Sequence, residues 1–258
     1  VKEIAASGIL PEGSLQLICG SARDLLNNVT SQDVVTFTGS ATTGRMLRAN
    51  PRMIEESVPF NMEADSLNCS VLGLDAKPGT PDFDIFIKEV HREMTAKCGQ
   101  KCTAIRRLIV PENYLDEVKK ALALRLEKTI IGNPLNEEVR MGALVGRTQL
   151  SEVKEKVADL AKLTPIVYGD LNMVNLVGVD ASCGSFMSPI LMLNERPFDY
   201  LQSHEIEVFG PVSTLIPYKD IDEAISISKL GKGSLVSSII TSNPDIASNY
   251  VIGSAAYH

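Results

Sequence analysis

Two cysteines four positions apart, the second directly after a lysine, make residues 98–111, CGQKCTAIRRLIVP, the stretch best equipped for covalent chemistry. Cys98 and Cys102 admit three readings: half of a metal site, a disulfide, or a nucleophile beside a spectator. Gly99 lets the backbone bend close to a ligand, and the positive charge of Lys101 favours thiolate over thiol at the neighbouring cysteine, as a nucleophile requires. Cys98 lies one helical turn earlier, a spacing that lets the pair face the same way. No second cysteine pair and no nearby histidine supplies the remaining ligands of a zinc site. Spacing alone also leaves open the commonest use of a cysteine, a small buried hydrophobe.

A thiol that forms a covalent intermediate needs an acid or base to finish the reaction. Glu63 closes the apolar run SVPFNM at what reads as a strand end, where a carboxylate projects into a crevice and burial suits it to general-base work. A solvated strand-end charge is the other use of the same residue. Glu63 is preferred to Asp65, which falls off the strand face. His91 and His204 offer a further route, a cysteine hydrolase built on Cys102, and each reads equally as an ordinary surface or helix residue.

Two more stretches could hold a ligand. FTGSATTG, residues 37–44, runs a strand into Gly39 and Ser40 and then a helix, leaving backbone N–H groups and a hydroxyl for an anion. It is neither a Walker sequence nor a G-x-G-x-x-G fingerprint, and an ordinary glycine-rich turn has the same composition. In HEIEVFGPV, residues 204–212, Glu207 and Phe209 sit two apart and point the same way ahead of a Gly-Pro turn.

The elements that must position these residues alternate. SLQLICG is followed by ARDLLNNV, DVVTFTG by ATTGRMLRAN, and SVPFNME comes before NCSVLG, a pattern of β-α-β units and a mostly parallel sheet. The fold class is therefore α/β, with a domain boundary near Asn68. LDEVKKALALRLEK places Leu115, Val118, Leu122 and Leu126 on one helical face, and RTQLSEVKEKVADLAK repeats the pattern. In TSNPDIASNYV, Asn243 caps a helix that starts with Pro244 and runs nearly to the last residue.

Composition excludes several classes. The 258 residues are 44% hydrophobic, enough for a sizeable core, and a formal net charge of -7 without any basic run gives no nucleic-acid footprint. No apolar run approaches the roughly 20 residues of a membrane span, and VKEIAASGILPEGS lacks the apolar core of a signal peptide. Five scattered cysteines, Cys19, Cys69, Cys98, Cys102 and Cys183, are unlike a secreted disulfide framework, so reduced thiols and a cytoplasmic protein are expected.

Taken in order, FTGSATTG, the Glu63 segment, GQKCTAIRR and EVFGPV resemble the aldehyde dehydrogenase superfamily over nearly the whole chain. The details SLQLICGSARDLL, SQDVVTFTGSATTGRMLR, MEADSLNCSVLG and REMTAKCGQKCTAIRRLIVP are similar to the branch that serves phenylacetate degradation. The resemblance implies that residues 1–68 are the C-terminal part of a Rossmann-type NAD(P)-binding domain whose N-terminal half is absent. Residues 69–258 would then be a catalytic domain cut short at its C-terminal end.

The same resemblance implies that Cys102 is the nucleophile, Glu63 the general base, and Gly39 and Ser40 contacts of the cofactor pyrophosphate. It also places Glu207 on the nicotinamide ribose and Phe209 against the nicotinamide, with no metal. The implied cofactor is NADP, with NAD possible. The implied substrate is a small-molecule aldehyde, a CoA-linked semialdehyde such as 3-oxo-5,6-dehydrosuberyl-CoA semialdehyde, oxidised to the acid through a thiohemiacetal and a thioester. A homo-oligomer is implied, joined in the full-length protein to a MaoC-like hydratase domain. The sequence departs from the family where MEADSLN stands in place of a Glu-Leu-Gly-Gly-Lys-type stretch. The family's oxyanion-hole amide and its adenosine-ribose lysine are expected upstream of this chain. The alternative expectation is an inactive fragment, or a structural or binding domain of the same fold.

Overall fold

The computed structural model describes residues 1–254 and divides into two compact units, Val1–Asp65 and Ser66 onward, a division just ahead of Asn68. The first unit contains helix α1 (Lys2–Ala6), strand β1 (Val35–Gly39), helices α2 (Ala41–Arg48) and α3 (Pro51–Glu55), and strand β2 (Phe60–Ala64). β1 and β2 pair in parallel, from Val35 opposite Phe60 to Gly39 opposite Ala64, with the two helices as the crossover. α2 and α3 each start at a side-chain cap. Ser40 Oγ accepts from the Thr43 N–H at 3.2 Å, and Asn50 Oδ1 accepts from the Arg52 N–H at 2.9 Å with Pro51 in the first helical position.

The expected strand SLQLICG does not form, and ARDLLNNV is reduced to a 3-10 turn, Leu25–Asn28. A parallel strand is held by neighbours on its sheet, and this unit's sheet is only the β1–β2 pair. Leu15, Leu17 and Ile18 are accordingly exposed.

The second unit runs β3 (Cys69–Leu72), α4 (Pro81–Thr95), β4 (Arg107–Pro111), α5 (Leu115–Glu127), β5 (Ile131–Gly132), α6 (Arg147–Leu160), β6 (Ile166–Tyr168), β7 (Leu176–Val177), β8 (Ile190–Leu193), β9 (Val212–Tyr218), α7 (Ile221–Lys229), β10 (Ser237–Ile240) and α8 (Pro244–Ser254). Six strands form one sheet in the order β10-β3-β4-β9-β8-β6, parallel except for the edge strand β6. β5 and β7 make a separate parallel pair.

Strand alternation divides the core between two faces. Leu108, Val110 and Leu215 pack with Phe86, Val90, Val118, Leu122 and Leu126 of α4 and α5. From the opposite face Val71, Ile109, Ile216 and Tyr218 pack with Ala224, Ile227 and Tyr250 of α7 and α8. A third cluster joins α6 to β8 through Val153, Val157, Ile190 and Met192, and takes in Cys98 and Val208. The helical faces expected in α5 and α6 are the buried ones. Asn243 Oδ1 accepts from the Asp245 N–H at 2.9 Å, the expected cap of α8, and residues 255–258 lie outside the described ones.

Parallel strands of one sheet share one polarity, so their leading ends collect on one side. The segments that lead into β3, β4, β9 and β10 contain Asn68, Arg106, Pro211 and Val236, and the second unit's chemistry-bearing residues gather there. Among the described residues no helix is long and apolar enough to cross a membrane.

Candidate active site

α4 is followed by a 3-10 turn, Ala96–Gly99, in which three successive residues have positive φ: Lys97 (52°), Cys98 (56°) and Gly99 (67°). Two of them carry side chains, and a left-handed conformation costs an L-residue about 1–2 kcal/mol. Such strain persists only where the surroundings fix it. The reversal turns Cys98 into the core, 1% exposed, and sends the chain outward to a turn on which Cys102 is exposed. The two thiols therefore do not share a face. Burial pushes the Cys98 thiol up to about 12, so it stays protonated in its apolar cluster.

Two buried side chains fix the Cys102 turn. The Asn68 amide donates to the Cys102 carbonyl at 2.8 Å and to the Ala104 carbonyl at 2.9 Å, while its Oδ1 accepts from the Val236 N–H at 2.8 Å and from Ser66 Oγ. Both amide donors and both lone-pair directions of the acceptor are used. The second is Arg106, 4% exposed, whose guanidinium donates to Gly99 O at 2.8 Å and to Gly210 O at 2.7 Å. Its Nε lies 3.5 Å from the Glu207 carboxylate, and its guanidinium carbon lies 5.5 Å from the centroid of the Phe209 ring. Glu207 and Phe209 are thus brought to one side chain, which also holds the thiol's loop.

Glycine is required where these loops touch. A Cβ on Gly99 would stand 2.2 Å from the Gly210 carbonyl oxygen, a backbone atom that cannot turn aside, and φ is +67° there. Gln149 adds a tie by donating to Phe209 O at 2.8 Å, and Gln100 accepts from the Val145 N–H at 2.9 Å.

Lys101 departs from its expected use. Its ammonium forms an ion pair with Glu93 at 2.7 Å, both side chains being half-buried, so its charge is already compensated. The positive group that organises this region is the guanidinium of Arg106.

In the first unit Glu63 is half-buried, next to last in β2 and opposite Thr38 of β1. Asp65 lies past the strand with φ +35°, and its carboxylate accepts from the Ala41 N–H at 3.1 Å. Ser40 turns its hydroxyl back as the helix cap and also bonds Thr43 Oγ1 at 3.0 Å. A Cβ on Gly39 would meet the Phe37 ring at 2.6 Å, so this glycine lets the ring lie against the strand end. The Ala41 N–H in the first turn of α2 is thus already taken by the Asp65 carboxylate.

The two histidines are engaged elsewhere. His91 Nε2 meets Thr129 Oγ1 at 2.8 Å. His204 is buried between Arg107, whose guanidinium reaches Nδ1 at 3.1 Å, and the Pro197 carbonyl, 3.1 Å from Nε2, so the neutral ring carries its proton on Nε2. Burial and then the charge of Arg107 hold His204 down at about 4, against the opposing pull of the Pro197 carbonyl.

The unfolded chain takes up a proton at His204 near pH 6.5, and the folded chain near 4. This contribution to stability is therefore complete above pH 6.5 and is lost as the pH falls towards 4, by about 3 kcal/mol in all. Urea unfolding of the parent and of His204→Gln between pH 7 and pH 4 should show a clearly flatter pH dependence in the variant. Equal slopes would place the acid sensitivity elsewhere. Among the described residues no group of three or more His, Cys, Asp or Glu side chains is gathered to hold a metal.

Arg106 and Asn68 are the site residues that sequence patterns did not single out. The one available signal is the pair of arginines opening an apolar run, IRRLIV, where alternation must bury at least one of them.

Comparison with known proteins agrees with this architecture. The 3,4-dehydroadipyl-CoA semialdehyde dehydrogenase of Aromatoleum evansii is 42% identical over 258 residues, all of this chain and 50% of that protein. A 1-pyrroline-5-carboxylate dehydrogenase of Staphylococcus epidermidis is 27% identical over 93% of the chain and 45% of its own length. The chain spans about half the length of the curated relatives it matches. Among solved structures, apo betaine aldehyde dehydrogenase from Staphylococcus aureus aligns over 99% of the chain and 49% of its own, with a TM-score of 0.86 and 22% identity. An NAD-dependent aldehyde dehydrogenase from Sinorhizobium meliloti aligns over 98% of the chain and 48% of its own, with a TM-score of 0.85 at the same 22%. These two likenesses are of fold. The aldehyde dehydrogenase family description matches residues 1–252, and the chain belongs to that family.

Proposed function

We propose that the protein oxidises an aldehyde to a carboxylic acid with NAD(P)+, using Cys102 as nucleophile. The observation that carries this reading is the exposed Cys102 thiol on a turn fixed by Asn68 and Arg106, the latter also holding the Glu207–Phe209 loop. The thiolate attacks the aldehyde carbon, the carbonyl electrons move to oxygen, and N–H donors including the Cys102 amide stabilise the oxyanion. Collapse re-forms the C=O bond and expels hydride, leaving a thioester on Cys102. A bound nicotinamide supplies the hydride acceptor, with Gly39 and Ser40 assigned to its pyrophosphate, Glu207 to its ribose and Phe209 to its ring. Glu63 then takes a proton from water, the hydroxide adds to the thioester, and the C–S bond breaks to return the thiolate and release the acid.

The substrate proposed is a CoA-linked semialdehyde of phenylacetate degradation, and the protein proposed is the dehydrogenase part of the bifunctional protein PaaZ or a near relative. That part would be a cytoplasmic homo-oligomer joined to a MaoC-like hydratase domain. Support comes from the 42% identical relative, whose own name specifies a CoA semialdehyde. NADP is the favoured cofactor. Reduction of NADP+ and NAD+ should be followed with a medium-chain acyl-CoA semialdehyde and with the same aldehyde lacking CoA, in a chain carried to the full length of its relatives. At least a tenfold advantage in kcat/KM for the CoA substrate is expected, about 1.4 kcal/mol of differential binding. Equal rates would sink the CoA assignment, and no reduction with any aldehyde would sink the oxidation.

A further inference from the structure

We propose that Arg106 is a positioning residue for this reaction, setting the Glu207 carboxylate and the Cys102 turn in register with each other; the inference rests on the roles proposed above for those two residues. Its guanidinium bridges two loops that lead into adjacent strands: Gly99 O at 2.8 Å and Lys101 O at 3.4 Å on the thiol's side, Gly210 O at 2.7 Å on the other. No other side chain described in this region bonds backbone on both loops and also pairs with a carboxylate. The planar fork makes this possible, since its donors leave in fixed, divergent directions, whereas a lysine ammonium would have to draw both carbonyls and the carboxylate to one nitrogen.

The pair with Glu207 is of a different kind from these bonds. At 3.5 Å it is longer than a charge-assisted hydrogen bond, about 2.7–2.9 Å, so charge rather than tight hydrogen bonding joins the two groups. Both groups are buried, Arg106 at 4% and Glu207 at 8% exposed, so the attraction acts with little screening from solvent. A carboxylate held beside a fixed, buried cation keeps its charge and its place, as the ribose contact proposed for Glu207 requires. The Phe209 ring under the guanidinium is placed by the same group. Arg106 touches no reacting atom in this scheme; it acts through Glu207 and through the thiol's backbone.

Arg107 is the internal control. It is equally buried, but it spends its donors on the Leu67, Ile227 and Ser228 carbonyls and on His204, away from Glu207. The test is a double-mutant cycle with Arg106→Lys and Glu207→Gln in the full-length protein, scored on kcat and on the KM for the dinucleotide. Each single variant is expected to lose about tenfold or more in kcat/KM, and the double variant no more than about threefold beyond the worse single, because the second change removes an interaction already lost. Arg107→Lys combined with Glu207→Gln should instead multiply. Losses that multiply for Arg106 as well, or an Arg106→Lys protein that behaves as the parent, would overturn the proposal.

An activity-independent readout separates this test from that of the function. Iodoacetamide labelling, mapped by peptide mass, compares Cys102 with Cys183, a second exposed thiol. The Cys102 to Cys183 ratio should change at least fivefold in Arg106→Lys and stay within twofold in Arg107→Lys; an unchanged ratio in Arg106→Lys would count against the clamp. If the parent reduces no dinucleotide, the proposed oxidation fails while the labelling ratio still decides whether Arg106 sets the thiol's turn.

Discussion

Replacing Cys102 by alanine is expected to abolish aldehyde-dependent NAD(P)+ reduction, by about 10⁴-fold or more, while Cys98→Ala keeps the rate within about threefold. The contrast follows from what the left-handed reversal at Lys97–Gly99 does to two otherwise similar thiols. Cys98 is 1% exposed in a cluster with Ile131, Met141 and Met187, and its thiol, pushed up to about 12, holds its proton at any working pH. It can neither ionise nor meet a substrate. Cys102 is exposed on a turn fixed through its own carbonyl and that of Ala104. Glu63→Gln should separate the two halves of the reaction: one equivalent of NAD(P)H per Cys102 in a burst, then turnover slowed by about 10²–10⁴-fold, the usual worth of a general base. Stopped-flow absorbance at the reduced-nicotinamide band reads both. A Cys98→Ala protein as inactive as Cys102→Ala would refute the assignment, and a Glu63→Gln protein without a burst would give the residue a different role.

Arg107→Met should cost about 4 kcal/mol of unfolding free energy, measured by urea denaturation, the largest loss expected from any single side chain described here. The guanidinium donates to Leu67 O at 2.7 Å, Ile227 O at 2.9 Å and Ser228 O at 3.0 Å. The latter two carbonyls belong to the last turn of α7 and also accept from the Leu230 and Gly231 N–H groups, each at 3.1 Å, so the cation adds a second bond to each and faces the negative end of the helix. Burial pushes the Arg107 pKa down, because holding the charge away from water has a cost. Methionine removes that cost but takes a charged donor from three buried carbonyls and from His204, leaving Ile227 O and Ser228 O with their backbone partners alone. Gly231→Ala provides a second approach to the same contact, since its Cβ would stand 1.9 Å from Nη2 of Arg107. A loss below about 1 kcal/mol in Arg107→Met would show that the apolar replacement compensates for the lost charge-assisted bonds.

Local chemistry explains which parts could be read from the sequence alone. α5, α6 and α8 were legible because each signal lies within the element: Val118, Leu122 and Leu126 recur at helical spacing, and Asn243 with Pro244 starts a helix whatever it packs against. β1, β2 and β3 were legible from short β-branched or apolar runs. SLQLICG has the same composition and is not a strand, because a strand is completed by its neighbours and Leu15, Leu17 and Ile18 face solvent here. At the site, Cys102 stood out by its Gly-Gln-Lys lead-in. Lys101 was read as a bare charge because Glu93, which neutralises it, lies on the preceding helix. Arg106 left only the signal of an arginine pair ahead of an apolar run, and Asn68 left none. An arginine that bridges two loops and one that faces water are spelled alike, and Asn68 is defined by carbonyls that only folding brings to it.

The grouping of Asn68, Arg106, Pro211 and Val236 ahead of their strands has a consequence for how this fold accommodates change. Parallel sheets commonly bind ligands beyond the opposite, carboxyl ends of their strands. Here the segments leaving β4 and β8, Glu112–Tyr114 and residues 194–200, lie at the end of the sheet away from the thiol's turn. Surface loops accept insertions at little cost when their ends stay fixed. Length variation and grafted peptides fit best at the exposed positions of that end, Glu195, Phe198 and Asp199 among them, so the side of this sheet that holds the proposed nucleophile and the side open to change are physically separate.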